Sequence, residues 1–395
     1  MERITMAKSL KIGIFIGKGA SYSWIWFVKT FDALDFNDIF FLDENDVLHG
    51  QLDHFDCFIL PGGDPFQVAE GLGEQGLSLV RSFVERGGTY IGVCAGTYLA
   101  LRFCEDPMPW LNLVDVPIRN YARTPPEAVR MQYKYLVPYR DGFVFHPVRG
   151  SLEVTTGDEV FKAPLYGGPP MVAPPEMRLL DYSGFDAKTL YLIDEHEAQR
   201  TMLGHAAGIR VPVGGGNLYL FGPHFEHPHY PRANQFLHEI LCTISPRTDG
   251  PPALPVTLLQ GPELRRWVTS LRRDVSSSRV LANGLTDLRW KIGEKVWEDE
   301  KILYFVNELL KLLKDLTRYE MLPVCDPASL RREAQNMRMQ LAEIRVLSKD
   351  GMETTHQASA LIDSTKKLSK GLYESYFLFK RQHWWSNGEN NRTHS

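Results

Sequence analysis

The segment Gly92-Val93-Cys94-Ala95-Gly96 places a cysteine between small residues, directly after an apolar run and before an apolar helical pattern. Small neighbours permit the sharp strand-to-helix turn that presents a nucleophile at the edge of a sheet. The positive end of the helix dipole favours the thiolate, which is the reactive form of cysteine. The pattern therefore predicts Cys94 as a nucleophile. The alternative is a structural cysteine buried in a glycine-flanked turn.

A histidine and a glutamate, His224 and Glu226, follow another apolar run and are two residues apart. Residues i and i+2 of an extended segment point to the same side, so Glu226 can orient His224 while His224 accepts the proton of Cys94. A solvated loop histidine is the alternative. The neighbouring His227 and His229 lack the ligand spacing of a metal site, and we expect neither a metal nor a cofactor.

A third turn, Pro61-Gly62-Gly63-Asp64, ends a separate apolar run. Backbone N–H groups of a glycine pair can approach a substrate carbonyl closely because no Cβ intervenes. We therefore expect the N–H groups of Gly63 and Ala95 to form an oxyanion hole. A plain tight turn is the alternative.

The elements that must position these residues are short apolar runs alternating with helical patterns, as in α/β proteins whose strands are buried on both faces. Residues 67–86 predict one or two short helices, and residues 104–185 predict an irregular or antiparallel insertion. The predicted strands lie at residues 11–16, 56–60, 89–93 and 216–221. This alternation predicts an α/β domain over residues 9–246.

The pattern changes after residue 246. Residues 247–260 are rich in proline and predict a linker, because proline disfavours regular helix and central strand. Residues 261–385 predict an all-α helical hairpin or bundle, and the polar residues 386–395 predict a frayed tail.

Apolar residues at sevenfold spacing, namely Val296, Leu303 and Leu310, predict a seam buried against another helix. A second helical pattern covers residues 327–382, and the segment Pro323 to Pro327 before it predicts a turn. An intramolecular antiparallel hairpin is favoured over a coiled-coil dimer.

Composition excludes several classes of protein. The 395 residues are 44% hydrophobic, which is typical of a folded globular chain and not of a disordered one. The formal net charge of −4 is too small to indicate a nucleic-acid or membrane-surface partner. Five scattered cysteines without a CxxC pair disfavour a disulfide framework, and no apolar run reaches the length of about 18 residues that a membrane span needs. We expect a cytoplasmic protein.

These residues resemble the class I glutamine amidotransferase-like superfamily, and in particular the domain at the N-terminus of fungal-type biotin-protein ligases. The resemblance covers about residues 10 to 245 and includes the Pro-Gly-Gly turn, the Cys-Ala-Gly elbow and the His-x-Glu end. It implies a flavodoxin-like, mostly parallel sheet flanked by helices, with a Cys-His-Glu triad. With it, we expect substrate contacts from Gly62, Asp64, Tyr98, Tyr166, Gly167 and Gly168.

The chain departs from that superfamily at two positions. Tyr98 stands where glutamine amidotransferases carry the glutamine of G-x-C-x-G-x-Q, which argues against glutamine as the substrate. Phe225 replaces the proline of His-Pro-Glu, which changes rigidity and not proton chemistry. The sequence has no Gly-Arg-Gly-Arg-type motif of a biotin ligase, so biotinylation is not implied.

The resulting hypothesis is a cysteine amide hydrolase or amidotransferase-like enzyme that acts on a small amide or peptide through an acyl-enzyme. A second hypothesis is a non-catalytic member that binds a small ligand or a protein tail. In that case the helical domain mediates assembly with a protein partner or a second copy. A third is a stress-type cysteine protein or a peptidase of the same fold.

Overall fold

A computed structural model describes residues 10–102, 111–119, 137–139, 142–144, 148–251, 255–285, 288–293 and 295–392. The chain divides into two compact units. The front unit comprises Met1–Pro251 together with Gly293–Lys295, and the back unit comprises Pro252–Ile292 together with Val296–Ser395.

The centre of the front unit is a ten-stranded sheet. The described strands of the front unit, all of which except β5 and β6 belong to this sheet, are in chain order β1 (Ile12–Phe15), β2 (Ile39–Leu42), β3 (Cys57–Leu60), β4 (Thr89–Val93), β5 (Val137–Tyr139), β6 (Gly142–Val144), β7 (Val148–Thr156), β8 (Glu159–Leu165), β9 (Arg178–Phe185), β10 (Leu190–Tyr191), β11 (Ala206–Val213) and β12 (Gly216–Phe221). The flanking helices are α1 (Trp24–Ala33), α2 (Glu44–Leu48), α3 (Pro65–Glu85), α4 (Ala95–Ala100), α5 (Glu195–Met202) and α6 (Pro231–Leu241).

Five strands, in the spatial order β2-β1-β3-β4-β12, are parallel. This is the arrangement of a flavodoxin-like doubly wound sheet. The sheet continues from β12 into the antiparallel strands β11, β9 and β7, while β8 and β10 both pair with β7. β5 and β6 form a separate antiparallel pair. The predicted α/β fold and its strands are confirmed, and the described part of the insertion from residue 148 onward is antiparallel.

The parallel strands are apolar because both of their faces are covered; every residue of β1, β3 and β4 is buried. Parallel strands bring their carboxyl ends to one edge of the sheet. The loops after β1, β3, β4 and β12 therefore meet there, and the last three carry the residues singled out by type and spacing.

The back unit contains the helices α7 (Gly261–Ala282), α8 (Asp299–Leu316), α9 (Pro327–Lys349) and α10 (Thr355–Arg392). Helix α7 contacts α8 and α9, and α10 contacts α8 and α9, so the four form a bundle. Four short strands accompany them as two pairs that the sequence pattern did not predict. They are β13 (Thr257–Gln260) with β16 (Met321–Val324), and β14 (Arg289–Ile292) with β15 (Lys295–Glu298).

The predicted segment boundaries of the second half need correction. The proposed linker 247–260 is structured at both ends: the N–H groups of Arg247 and Thr248 lie 2.6 and 3.1 Å from the Asp56 carboxylate, and β13 occupies its last four residues. The proposed tail 386–395 is helical to Arg392. The helical pattern at 327–382 is two helices, with a break after Lys349.

The predicted sevenfold seam is wrong. Val296 lies in β15, and Leu303 and Leu310 are half-buried. A helix in a bundle buries a broader stripe, at spacings of three and four residues, than the two positions per heptad of a coiled coil. The buried face of α8 accordingly consists of Ile302, Phe305, Val306, Glu308, Leu309, Leu312, Leu313 and Leu316.

Candidate active site

Cys94 occupies the turn between β4 and α4 in a strained backbone conformation, with φ 51° and ψ −101°. Such a conformation costs a non-glycine residue about 1–3 kcal/mol and persists only where neighbours hold it. The Cys94 N–H donates to the Phe221 carbonyl at 2.9 Å, and the Cys94 carbonyl accepts from the N–H groups of Thr97 and Tyr98 at 3.1 Å each. These bonds tie the turn to β12 and to the first turn of α4.

Small residues around Cys94 allow this turn to pack. A Cβ on Gly96 would overlap the Leu60 carbonyl of β3, and a Cβ on Gly92 would lie 2.6 Å from the Gly96 carbonyl. The Tyr90 hydroxyl donates to that Gly96 carbonyl at 2.7 Å. The elbow predicted from Gly-x-Cys-x-Gly is therefore present, with Cys94 only 6% exposed.

The two residues that follow β12 form a buried pair. His224 Nδ1 lies 2.7 Å from Glu226 Oε1, and the two residues are 3% and 0% exposed. Burial opposes protonation of the imidazole. The Glu226 charge and the hydrogen bonds with Cys94 and Glu226 outweigh burial and raise the pKa of His224 to about 10. The structure thus brings Cys94, His224 and Glu226 together, with the ring nitrogen opposite Glu226 left for Cys94.

Backbone contacts from three other elements position this pair. The His224 N–H donates to the Pro164 carbonyl of β8 at 2.9 Å. A Cβ on Gly168 would overlap the Gly222 carbonyl, so the turn after β8 packs directly on the turn that precedes His224. The Thr30 hydroxyl of α1 donates to the Glu226 carbonyl at 2.8 Å. Glu226 Oε2, by contrast, has no hydrogen-bond partner among the described residues.

The Pro61-Gly62-Gly63 turn after β3 is hydrogen-bonded to the loop after β1. The Ser21 N–H donates to the Gly62 carbonyl, and the Asp64 N–H donates to the Gly19 carbonyl, both at 2.9 Å. A Cβ on Gly63 would overlap that Gly19 carbonyl. Within the described part of the chain, neither the Gly63 N–H nor the Ala95 N–H donates to a protein acceptor. Both predicted oxyanion donors thus retain an N–H for a ligand.

Gly62 borders the histidine. A Cβ there would lie 2.6 Å from His224 Cε1 and 3.3 Å from Ser23 Oγ. The hydroxyls of Ser21 and Ser23 lie 2.8 Å apart, and both residues are buried. Sequence reasoning missed these serines. Their position after β1 could have identified them, because the loop after β1 lies at the same sheet edge as the loops after β3, β4 and β12.

Two of the predicted substrate contacts are corrected. The Asp64 carboxylate caps α3 by accepting the N–H groups of Phe66 and Gln67 at 3.0 and 3.2 Å. Tyr98 is fully buried, and its hydroxyl donates to the Gly167 carbonyl at 3.0 Å. The Asp64 side chain thus caps a helix and the Tyr98 side chain holds the turn at Gly167, so the polar groups of both are engaged by the protein itself.

Aromatic rings surround the histidine. Tyr166 and Trp26 lie edge-on to His224 at ring-centroid distances of 5.6 and 5.3 Å, and Trp26 lies 4.4 Å from His227. Burial, followed by the charges of His224, His229 and Lys29, lowers the pKa of His227 to about 4, so His227 is neutral at physiological pH. Trp26, in the first turn of α1, was not predicted as a site residue.

Among the residues that the structure describes, no group of three or more His, Cys, Asp or Glu side chains could hold a metal ion. None of the described helices has the length and apolar character needed to cross a membrane.

Comparison with known proteins gives one family match. The family model described as "Biotin-protein ligase, N terminal" matches residues 52–109. No curated protein matches the sequence. The matched segment 52–109 contains the Pro61-Gly62-Gly63 turn and Cys94, and it ends before His224 and Glu226.

Several solved structures are similar at low identity. A glutamine amidotransferase is 15% identical, with 59% of this chain and 100% of that chain covered and a TM-score of 0.38. A cytoplasmic protein from Salmonella typhimurium is 11% identical, with coverages of 60% and 100% and a TM-score of 0.36. The β-galactosidase from Bacillus circulans sp. alkalophilus is 15% identical, with coverages of 63% and 33% and a TM-score of 0.34. The chain spans about a third of the length of such β-galactosidases.

The family match covers β3, α3, β4 and the cysteine elbow, and the parallel strands around them follow the flavodoxin-like order. The front unit therefore has a flavodoxin-like α/β fold, and its residues 52–109 are similar to the N-terminal domain of biotin-protein ligases.

Proposed function

We propose that the front unit is a cysteine amide hydrolase or amidotransferase-like enzyme that acts through an acyl-enzyme. One observation carries the proposal: the strained Cys94 at the start of α4 interacts with His224, whose Nδ1 is held 2.7 Å from the buried Glu226. Nucleophile, base and orienting carboxylate in this order are the minimum for covalent acyl transfer.

In the first half-reaction the Cys94 thiolate attacks the amide carbonyl carbon, and a C–S bond forms. The carbonyl oxygen becomes an oxyanion, which the N–H groups of Gly63 and Ala95 stabilise. The protonated His224 donates its proton to the leaving nitrogen, the C–N bond breaks, and an amine or ammonia departs. The product is a thioester on Cys94.

In the second half-reaction the neutral His224 accepts a proton from water while the water oxygen attacks the thioester carbonyl. The C–S bond breaks, the carboxylic acid leaves, and Cys94 is regenerated. Glu226 stabilises the imidazolium in both steps. The raised pKa of His224 keeps its imidazole protonated at neutral pH, ready to donate in the first half-reaction.

Trapping of the thioester tests this function. We expect incubation with a library of small amides, activated esters and short peptides to produce an acyl adduct detected by intact mass, and peptide mapping to place it on Cys94. Cys94→Ala is the control and is expected to give no adduct. Absence of any adduct across the library would contradict the acyl-enzyme.

The near-complete burial of Cys94 and His224, at 6% and 3% exposure, favours a second candidate: a non-catalytic domain that binds a ligand on the same fold. Alkylation rates of the cysteines separate the two. Burial raises the pKa of Cys57, Cys242 and Cys325, and the charges of Asp56, Glu239 and Glu374, respectively, raise these pKa values further.

If Cys94 is activated, we expect it to react with iodoacetamide at pH 7 at least about tenfold faster than the more exposed Cys242 and Cys325, because the thiolate is the reacting species. Mass spectrometry of each cysteine peptide measures the rates. A Cys94 rate equal to or below that of Cys242 would favour the non-catalytic candidate.

A further inference from the structure

The first helix of the bundle, α7 in the back unit, carries a repeated sequence that the proposed amidase does not use. Arg265-Arg266-Trp267-Val268-Thr269-Ser270 is followed seven residues later by Arg272-Arg273-Asp274-Val275-Ser276-Ser277, and then by Arg279. Seven residues are two turns of a helix, so Arg265, Arg272 and Arg279 share one stripe with a rise of about 10.5 Å between them. We call Arg265, Arg266, Arg272, Arg273 and Arg279 the arginine ladder.

The repeat separates into an inner and an outer face. Trp267, Val268, Leu271 and Val275 are buried, whereas every arginine of the ladder is exposed. Asp274 is 5% exposed and its carboxylate lies 3.1 Å from Arg338, so it points away from the ladder. The apolar inner residues explain why α7 packs into the bundle, and the arginines lie on its exposed face.

The ladder is not neutralised by its surroundings. Among the described residues, the one carboxylate within ion-pair distance of any ladder guanidinium is that of Glu320, 4.0 Å from Arg265. The remaining four arginines have no ion pair in the described part of the chain. A surface groove of about 350 Å³ runs along Arg265, Arg266, Thr269, Ser270 and Arg273, which adds hydroxyls between the guanidinium groups.

The chemistry of this face selects a class of ligand. Planar guanidinium groups and hydroxyls are the side chains that contact phosphate oxygens. The exposed residues of the ladder region include no aromatic side chain for base stacking, and Val280 is its exposed apolar residue. Exposed ion pairs with a protein partner contribute about 0–1 kcal/mol each, and a stable protein interface also needs apolar anchors. Binding to a phosphate backbone needs no apolar anchors, because it is driven by the release of counterions.

We propose that the arginine ladder binds the phosphate backbone of duplex nucleic acid without reading its bases. A single-stranded ligand is disfavoured because its binding sites use aromatic stacking. A membrane is disfavoured because interfacial helices insert large apolar side chains, and those of α7 are buried in the bundle. The overall charge of −4 does not oppose the proposal, since residues 247–395 carry 24 basic and 19 acidic side chains.

The test uses the full-length protein and a short fluorescent duplex of arbitrary sequence, with binding followed by anisotropy. For about five phosphate contacts, the slope of log K against log salt is about −4.5, which corresponds to a loss of affinity of about 10²–10³-fold between 50 and 200 mM salt. Arg265→Gln/Arg272→Gln/Arg279→Gln removes three of these contacts and is expected to change the slope by about 2.7 toward zero.

The matched control is Arg331→Gln/Arg332→Gln/Arg345→Gln, which removes the same charge from exposed positions of α9. We expect it to keep the wild-type slope, and we expect both variants to keep the wild-type melting temperature. If the slope changed equally in the two variants, the effect would come from net charge alone, and the proposed role of the arginine ladder would be wrong. Absence of duplex binding at low salt, or tighter binding to anionic vesicles or poly-glutamate than to the duplex, would also overturn it.

Discussion

Replacement of Cys94 by alanine is expected to lower turnover of any amide that labels this residue by a factor of about 10³–10⁶, since removal of a nucleophile leaves only binding and oxyanion stabilisation. The fold should persist. Alanine adopts the same φ of 51° at the same cost, and the elbow is held by backbone bonds that the substitution keeps. Steady-state kinetics and thermal melting of the pure variant measure both properties.

Two results would contradict this expectation. Turnover at the wild-type rate would place the nucleophile elsewhere. Loss of the folded state would identify Cys94 as a structural residue, in line with the alternative of a buried cysteine in a glycine-flanked turn.

Glu226→Gln is expected to lower kcat by about 10²–10⁴-fold, because the amide still accepts a hydrogen bond but no longer stabilises the imidazolium or selects the tautomer. It should also change the dependence of stability on pH. The folded-state pKa of His224 is raised to about 10, so the interaction stabilises the fold fully below the ordinary histidine pKa of about 6.5 and is lost as the pH rises toward 10.

The difference in melting temperature between wild type and Glu226→Gln should therefore be largest below about pH 6.5 and shrink toward pH 10. Glu74→Gln, a substitution at an exposed position of α3, is the control and is expected to leave both kcat and this profile unchanged. If the difference in melting temperature did not depend on pH, the His224–Glu226 interaction would not contribute to the stability of the fold. A wild-type kcat in Glu226→Gln would exclude Glu226 from the proposed triad.

The residues at the sheet edge were predictable because local chemistry and strand order act together. Cys94, His224 and Glu226 each follow an apolar run, and parallel strands bring their carboxyl ends to one edge whatever the details of packing. The Gly62-Gly63 turn was predictable for the same reason. The contributions of Ser23 and Trp26 depend on the position of α1 and of the preceding loop relative to that edge. The spacing of residues in the sequence does not determine this position.

The errors have an equally physical origin. The resemblance led us to expect Tyr98 at the substrate, but its side chain is buried and its hydroxyl donates to the Gly167 carbonyl. The sevenfold spacing across Leu303 and Leu310 suggested a seam, but burial in α8 follows contacts with two neighbouring helices. A repeat in the sequence does not show how many neighbouring helices pack against a helix.

The sequence by itself determined the α/β front unit, the elbow at Cys94, the nearness of His224 and Glu226 to it, and the helical character of the second half. Apolar periodicity and small-residue turns are properties of neighbouring residues, and they act before any long-range contact forms. The tertiary structure alone decided that the Tyr98 hydroxyl binds the Gly167 carbonyl, that the segment after residue 246 is tied to Asp56 and paired through β13, and that the arginines of α7 face outward, with Arg265 alone near a carboxylate among the described residues. Each of these outcomes depends on partners tens to hundreds of residues away, whose distances are set only when the chain packs.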